Sequence, residues 1–257
     1  MKIVVCVKLV PATTADIRVA PDGMSLLLNG LETIISPYDE YALEAALQFR
    51  TAVPGSTVQV ITVGSDESLK CLQHAFSVGV DSALHIKGSL DARCAANAVA
   101  AALKDAAPDL VLCGRQAIDD DQWLFTGALA ERLNFAHVTA TCALVLSADQ
   151  KGFQCRRRVE GGEQVIDVRL PAVISCDKGL NEPRVPTLKG RLDAKKKQPV
   201  AKTPADLGLQ ASDLEPALKV LKCSPPPQKT PGKTISMEAR QAAVELVRLL
   251  REEAKVI

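Results

Sequence analysis

Aromatic residues are scarce: one Trp, two Tyr and five Phe among 257 residues, 3% of the chain. The core must therefore be aliphatic, and a platform for single-stranded nucleic acid, which stacks bases on aromatic rings, lacks its material. Net charge is nearly absent too. The 31 basic residues stand against 30 acidic ones, a formal +1, which excludes binding of nucleic acid or anionic membrane by overall charge. No apolar run reaches the roughly 18 residues of a membrane-spanning helix. The opening MKIVVCVKLVPA is too short in its apolar part for a signal peptide and reads as a first strand. The eight cysteines (Cys6, Cys71, Cys94, Cys113, Cys142, Cys155, Cys176 and Cys223) form no C-x-x-C pair. Several lie in apolar runs such as IVVCVKLV and DLVLCG, the setting of buried, reduced thiols rather than of zinc ligands or a disulfide framework. A reducing cytoplasm is the expected compartment. Neither G-x-G-x-x-G nor G-x-x-x-x-G-K-[ST] occurs, and there is no G-x-S-x-G elbow. His74, His85 and His137 fall in a helix, a strand and a strand start, where they read as packing or surface residues rather than catalysts.

What is present is alternation. Short apolar runs at Lys2–Leu9, Thr57–Val63, Ala83–Lys87 and Asp109–Cys113 read as strands. Tyr38–Arg50, Glu67–Val78 and Ala92–Ala106 carry apolar residues at helical spacing, and a further helix holds Leu124, Leu129, Ala130 and Leu133. Strands alternating with helices predict a parallel sheet covered on both faces. Glu-Gly-Gly between Gly152–Val159 and Gln164–Leu170 predicts a hairpin, followed by an apolar strand at Pro171–Cys176. The expected fold class is thus α/β, Rossmann-like and doubly wound, with a mainly parallel sheet and an added hairpin. After residue 190 the character changes. Lys195–Thr234 has three consecutive lysines, Pro225–Pro227 and few apolar clusters, which predicts an extended arm. From Lys195 onward twelve basic residues face seven acidic ones, so the tail carries +5 and the rest −4. A helix is expected at Ser236–Glu253, capped by Ser236, with an apolar stripe of Ala239, Ala243, Leu246, Val247 and Leu250. The expected division is a nucleotide-binding domain over 1–190 and an arm with its helix over 191–257.

Chemistry is expected at strand ends, because ligands of open α/β sheets bind beyond the carboxyl ends of the strands. Gly114-Arg-Gln-Ala-Ile-Asp119-Asp120-Asp121 follows one strand and leads to Thr126-Gly127, early in a helix. A hydroxyl, free amides and the helix dipole suit a phosphate. The aspartates either cap the helix or stand at a ligand whose charge they would oppose. Ile35-Ser-Pro-Tyr-Asp39-Glu opens another helix, with Ser36 at the N-cap and Pro37 at N1. Gly64-Ser-Asp is a third strand-end loop on that edge. Arg156–Arg158 on the hairpin is either a solvated face or an anion contact. Leu180 lies in a loop stiffened by Pro183 and Pro186, which suits presenting an apolar tip to a partner or returning a leucine to the core.

Taken together, VCVKLVP, I-S-P-Y-D-E-x-A-L-E-A-A, G-R-Q-A-I-D-D-D, L-P-A-V-I-S-C-D and L-N-E-P-R-x-P-T-L followed by A-K-K-K resemble the β subunit of electron transfer flavoproteins. Their order, spacing and the chain length match throughout, least in the tail after Val200. The resemblance implies an electron carrier rather than an enzyme. It implies a heterodimer with a larger α subunit that holds FAD, takes electrons from flavin dehydrogenases and passes them to a membrane quinone oxidoreductase, with no nucleic acid involved. It implies AMP in this subunit, at Cys6, Ser36, Pro37, Tyr38, Asp39, Val63, Asp119, Asp120, Asp121, Gln122, Thr126, Gly127, Ala128, Leu129 and Ala130. Tyr38 matches an aromatic position close to the flavin. Leu180, with Asn181, Glu182, Pro183 and Arg184, matches the loop that anchors partner dehydrogenases. One departure stands out: four residues, Gln122, Trp123, Leu124 and Phe125, separate the Asp triplet from Thr126, one more than the family pattern. A second FAD in this crevice, as in bifurcating members, goes with Gly in the middle of that triplet. Asp120 stands here and favours AMP. A stand-alone adenine-nucleotide module is the remaining alternative, disfavoured by the LNEPR loop and the long tail.

Overall fold

The central strands are apolar on both faces, as the interior of a parallel sheet requires. In the computed structural model, which describes residues 1–227 and 231–257, β1 (Lys2–Cys6) is buried in all but its first residue. Two short antiparallel pairs follow: β2 (Leu9–Pro11) with β5 (Thr33–Ile35), and β3 (Arg18–Val19) with β4 (Leu26–Leu27). The order continues with α1 (Pro37–Ala52), β6 (Thr57–Gly64), α2 (Leu69–Ser77), β7 (Ser82–Lys87), α3 (Ala92–Leu103), β8 (Leu110–Gly114) and α4 (Leu124–Leu133). Then come β9 (Ala136–Leu146), β10 (Gly152–Val159), β11 (Gly162–Arg169), β12 (Ala172–Cys176), α5 (Leu188–Ala194), β13 (Val200–Lys202) and α6 (Ala239–Glu252).

Nine strands form one sheet in the order β11-β10-β9-β12-β8-β1-β6-β7-β13. Six of its pairings are parallel and the two made by β10 are antiparallel. α1 and α2 cover one face with Ala42, Leu43, Leu47, Leu72 and Phe76, and α3 and α4 cover the other with Ala96, Val99, Leu103 and Leu129. The fold is therefore the expected doubly wound α/β sheet with an added hairpin. The chain proceeds from β1 outward through β6 and β7, then returns to β8 on the other side of β1. The carboxyl ends of β1 and β8 thus flank the topological switch point, where such sheets open a crevice.

The C-terminal segment keeps closer to the sheet than its composition suggests. The boundary expected at 190 falls inside α5, whose N-cap Thr187 accepts from Gly190 N at 3.0 Å. β13 then adds a parallel edge strand to β7, which covers unpaired backbone groups that would otherwise face water. Farther on, Asp213 O accepts from Asn97 Nδ2 at 2.8 Å and Ala217 N donates to Asp91 Oδ2 at 2.8 Å. Cys223 N donates to Gly23 O at 2.8 Å. Residues 228–230 of the expected arm lie outside the described residues. α6 starts later than expected: Glu238, not Ser236, is the N-cap, and its carboxylate accepts from Arg240 N. None of its residues is buried.

Candidate functional site: a crevice at the switch point

Most of the crevice wall comes from strand ends, helix starts and the loops between them. Cys6, Val7 and Lys8 follow β1, Ile61 and Val63 lie on β6, and Cys113, Gly114, Arg115 and Gln116 leave β8. Asp39 enters from α1, Asp91 and Ala95 from α3, and Asp120, Gln122, Phe125 and Thr126 from the β8–α4 connection. The two helix N-termini differ. Asp91 caps α3 by accepting from Cys94 N at 2.8 Å, whereas no side chain caps α4, whose flanking residue is Trp123. The first-turn amides of α4 have no partner within the helix, and two residues of that turn, Phe125 and Thr126, line the cavity.

The aspartates do not cap α4. Lys8 Nζ lies 2.9 Å from Asp119 Oδ1 and 3.0 Å from Asp120 Oδ2, and Gln116 Nε2 donates to Asp121 Oδ1 at 2.6 Å. Burial lowers the Lys8 ammonium pKa, but the two carboxylates more than offset it, and the net shift is upward. Lys8 thus offsets one of the two negative charges that Asp119 and Asp120 would set against a phosphate. Asp39 is buried, and desolvation pushes its carboxyl up to about 7, against the pull of the Lys8 and Gly114 amides it accepts from. A side chain at Gly114 would put Cβ 2.3 Å from Asp39 Oδ1 and 2.8 Å from Asp39 N, so only glycine lets α1 approach β8 this closely.

Of the residues expected at the nucleotide, Cys6, Asp39, Val63, Asp120, Gln122 and Thr126 line the crevice. Ser36 and Pro37 lie behind Asp39 at the start of α1, and Ser36 is fully buried with no side-chain capping bond. Asp119 and Asp121 stand on the connection, outside the lining. Gly127 faces His137, and Leu129 and Ala130 pack into the core, because successive helical residues turn away from the cavity their first turn faces. Ala128 packs partly against that same core. Tyr38 forms the rim. Its hydroxyl accepts from Arg115 Nη2 at 3.0 Å, and the Arg115 guanidinium sits 4.8 Å from both the Tyr38 and the Trp123 ring centres. Asp177 holds the same guanidinium at 3.1 Å. Lys8 and Arg115, the two cations that organise the site, are missed by residue-type reasoning. Each stood in a recognised motif, but only the topology brings them to these carboxylates.

The loop after β12 differs from the expected exposed tip at Leu180. Leu180 is half-buried and packs on the core. The loop is tied to α1 by Asn181 Nδ2 donating to Tyr41 O at 2.9 Å, and by Arg184 gripping Glu44 at 2.7 and 2.9 Å. Glu182 is exposed and Pro183 half-buried. The most exposed apolar side chains nearby are Val185 and Leu188, 79% and 78% exposed.

Residues 24–207 match the family model described as the electron transfer flavoprotein domain. The chain belongs to the β-subunit family of electron transfer flavoproteins. It is 38% identical over 234 residues to the electron transfer flavoprotein subunit beta of Bacillus subtilis, covering 89% of this chain and 90% of that protein. It is 31% identical to the corresponding subunit of Bradyrhizobium diazoefficiens over the full length of both. It is 32% identical to a subunit of the caffeyl-CoA reductase-Etf complex of Acetobacterium woodii, covering 98% of this chain and 99% of that one. The family works in electron transfer, and its β subunits pair with α subunits. No helix among the described residues is long and apolar enough to cross a membrane.

Proposed function

We propose that this β subunit holds AMP in the switch-point crevice and supports, in an αβ heterodimer, an FAD carried mainly by the α subunit. The heterodimer takes electrons from flavin dehydrogenases and delivers them to a membrane quinone oxidoreductase, acting as a carrier with no substrate of its own. The observation that carries the nucleotide reading is the uncapped N-terminus of α4 beside a cavity whose lining aspartates are each already engaged, Asp120 by Lys8, and Asp39 and Asp91 by backbone amides. An anion there meets amides and the positive end of the helix dipole. Cys6, Asp39, Val63, Asp120, Gln122 and Thr126 form the cavity wall; Ser36, Pro37, Tyr38, Asp119, Asp121 and the Gly127–Ala130 stretch of α4 support it from behind or at its rim. The loop from Leu180 to Arg184, braced on α1, is the docking segment for dehydrogenases, with Val185 and Leu188 extending its apolar surface. Seven buried thiols suit a reducing cytoplasm. The test is to purify the αβ complex, release its nucleotides by heat and separate them by chromatography. One AMP and one FAD per heterodimer is the expected result. Two FAD and no AMP would move the crevice to the bifurcating class.

A further inference from the structure

The ladder between β1 and β8 ends at the pair Cys6 and Cys113. Beyond it the two chains part, and each leaves a backbone donor without a strand partner. Val7 N still reaches Ile61 O on β6 at 2.9 Å. Lys8 N and Gly114 N turn to Asp39 instead, donating to Oδ2 at 2.8 Å and Oδ1 at 3.0 Å. One carboxylate therefore sits in the fork, with an oxygen for each diverging strand. Only an ionised carboxylate offers an acceptor on both sides; an asparagine presents one oxygen and one NH2, so one backbone N–H would face another donor. From Lys8 the contacts continue outward. Its ammonium holds Asp119 and Asp120, and Asp120 Oδ1 accepts from Gln122 N at 3.1 Å. The chain of contacts ends one residue before Trp123, which precedes the uncapped first turn of α4.

We propose that Asp39 is a positioning residue for the nucleotide phosphate. It fixes the Lys8 backbone, and through the Lys8 ammonium it sets the β8–α4 connection so that the first-turn amides of α4 meet the phosphate. This deepens the nucleotide reading above and rests on it. Asp39 lines the crevice, but the positioning role needs no contact with the ligand, since each of its oxygens is engaged by a backbone amide. Lys8 has two tasks: it carries the position of the fork to the connection, and it reduces the repulsion that Asp119 and Asp120 would exert on the phosphate. The groups that face Asp39 are Lys8 and Asp119 from the crevice side and the thiols of Cys71, Cys113 and Cys176 from the core. None of the thiols is a cation, so the two backbone amides and Lys8 are the groups that oppose its protonation, while desolvation still leaves its carboxyl at about 7.

The αβ heterodimer, stripped of nucleotide by dialysis, is titrated calorimetrically with AMP and, separately, with adenosine, which lacks the phosphate. The variants are Asp39→Asn and Lys8→Met. The expected result is that each weakens AMP roughly tenfold or more, the scale of losing a hydrogen bond to a charged group. Adenosine affinity should change less than threefold. The double variant should lose no more than the worse single variant, because both act through one chain of contacts. Equal loss of AMP and adenosine would mean a general collapse of the crevice and would overturn the assignment, as would wild-type AMP affinity in Asp39→Asn. If Asp39→Asn fails to fold, Lys8→Met alone decides, since it changes only a partly exposed side chain; an unchanged AMP-to-adenosine ratio there overturns the proposal. A wild-type heterodimer that binds neither compound overturns the nucleotide reading itself, a result distinct from any of the variant outcomes.

Discussion

Arg184 and Glu44 show how one side-chain pair holds a functional loop. Glu44 lies on α1 with its side chain 7% exposed, while Arg184, 140 residues later, covers it from the outside at 40%. Burial raises the Glu44 carboxyl pKa, but Arg184 and then Gln48 pull it the other way, and the net shift is downward. A carboxyl whose folded pKa lies below its ordinary 4.5 contributes stability above that value and loses it as pH falls through the folded pKa. Arg184→Met removes the cation from the buried Glu44 carboxylate and leaves Gln48 as its side-chain partner. It should reduce stability by about 1–2 kcal/mol at neutral pH, a figure discounted for the exposure of Arg184. The loss should shrink below pH 4.5, where wild type loses the same contribution. Urea unfolding of both proteins at pH 7 and pH 4 checks this; an equal difference at the two pH values would mean that the pair is not the source. Glu44 and Arg184 were each legible in the sequence only as members of two separate motifs, I-S-P-Y-D-E-x-A-L-E-A-A and L-N-E-P-R-x-P-T-L. Nothing in spacing alone brings residues this far apart together; the β12 loop crossing back over α1 does.

The same division between legible and hidden holds for the elements. The strands of the parallel sheet and α1 to α4 could be read because each carries its period locally: β1 after Lys2, β8, and β12 apart from Ser175 are apolar, and α3 repeats small apolar residues behind Asp91. β9 was not marked beyond a strand start at His137. Its Ala136–Leu146 run is interrupted by a bulge, with Ala140 at φ 54° and the register against β12 shifting there, so simple alternation fails. β13 has only three residues, all at least partly exposed, and is a strand because β7 offers an open edge. For the β12–α5 loop the sequence left two readings of Leu180, an apolar tip and a return to the core, and Leu180 packs on the core. Because Leu180 packs on the core, Leu180→Ala should lower thermal stability by about 1–2 kcal/mol and also weaken dehydrogenase docking. Leu188→Ser, at a 78% exposed position, should leave stability unchanged within about 0.5 kcal/mol. If the loop docks partners, it should still slow dehydrogenase-driven flavin reduction at low carrier concentration. Dithionite reduction, which needs no docking, should be unchanged in both. Normal dehydrogenase kinetics in both variants would remove the docking role from this loop.

At the scale of the whole molecule, the crevice and the C-terminal helix sit on parts of the chain that the fold treats differently. Residues up to 217 are bound to the sheet through β13, Asn97 and Asp91, and Asp91 also lines the crevice. A cut after Val200 would therefore disturb the crevice wall along with the arm. A cut after Cys223 leaves those contacts intact and removes α6. That helix exposes Val244 at 70%, Leu246 at 48% and Val247 at 42%, and none of its residues is buried. Within the helix Arg248 is tied to Glu245 and Glu252, and the apolar stripe stands beside Arg240 and Arg251 as a surface available to a partner. Each of these side chains is worth roughly 1.5–3 kcal/mol when fully buried, part of which is offset by ordering the arm. Deleting 224–257 should therefore weaken heterodimer formation by about 100-fold or more, while AMP binding to the crevice of the truncated subunit, assembled at high protein concentration, stays within threefold. Analytical ultracentrifugation over a dilution series gives the first quantity and calorimetry the second. A truncated chain that assembles with full affinity would show that the stripe is covered by its own domain in solution. A truncated chain that assembles weakly and also loses AMP would show that the partner, reached through α6, completes the crevice.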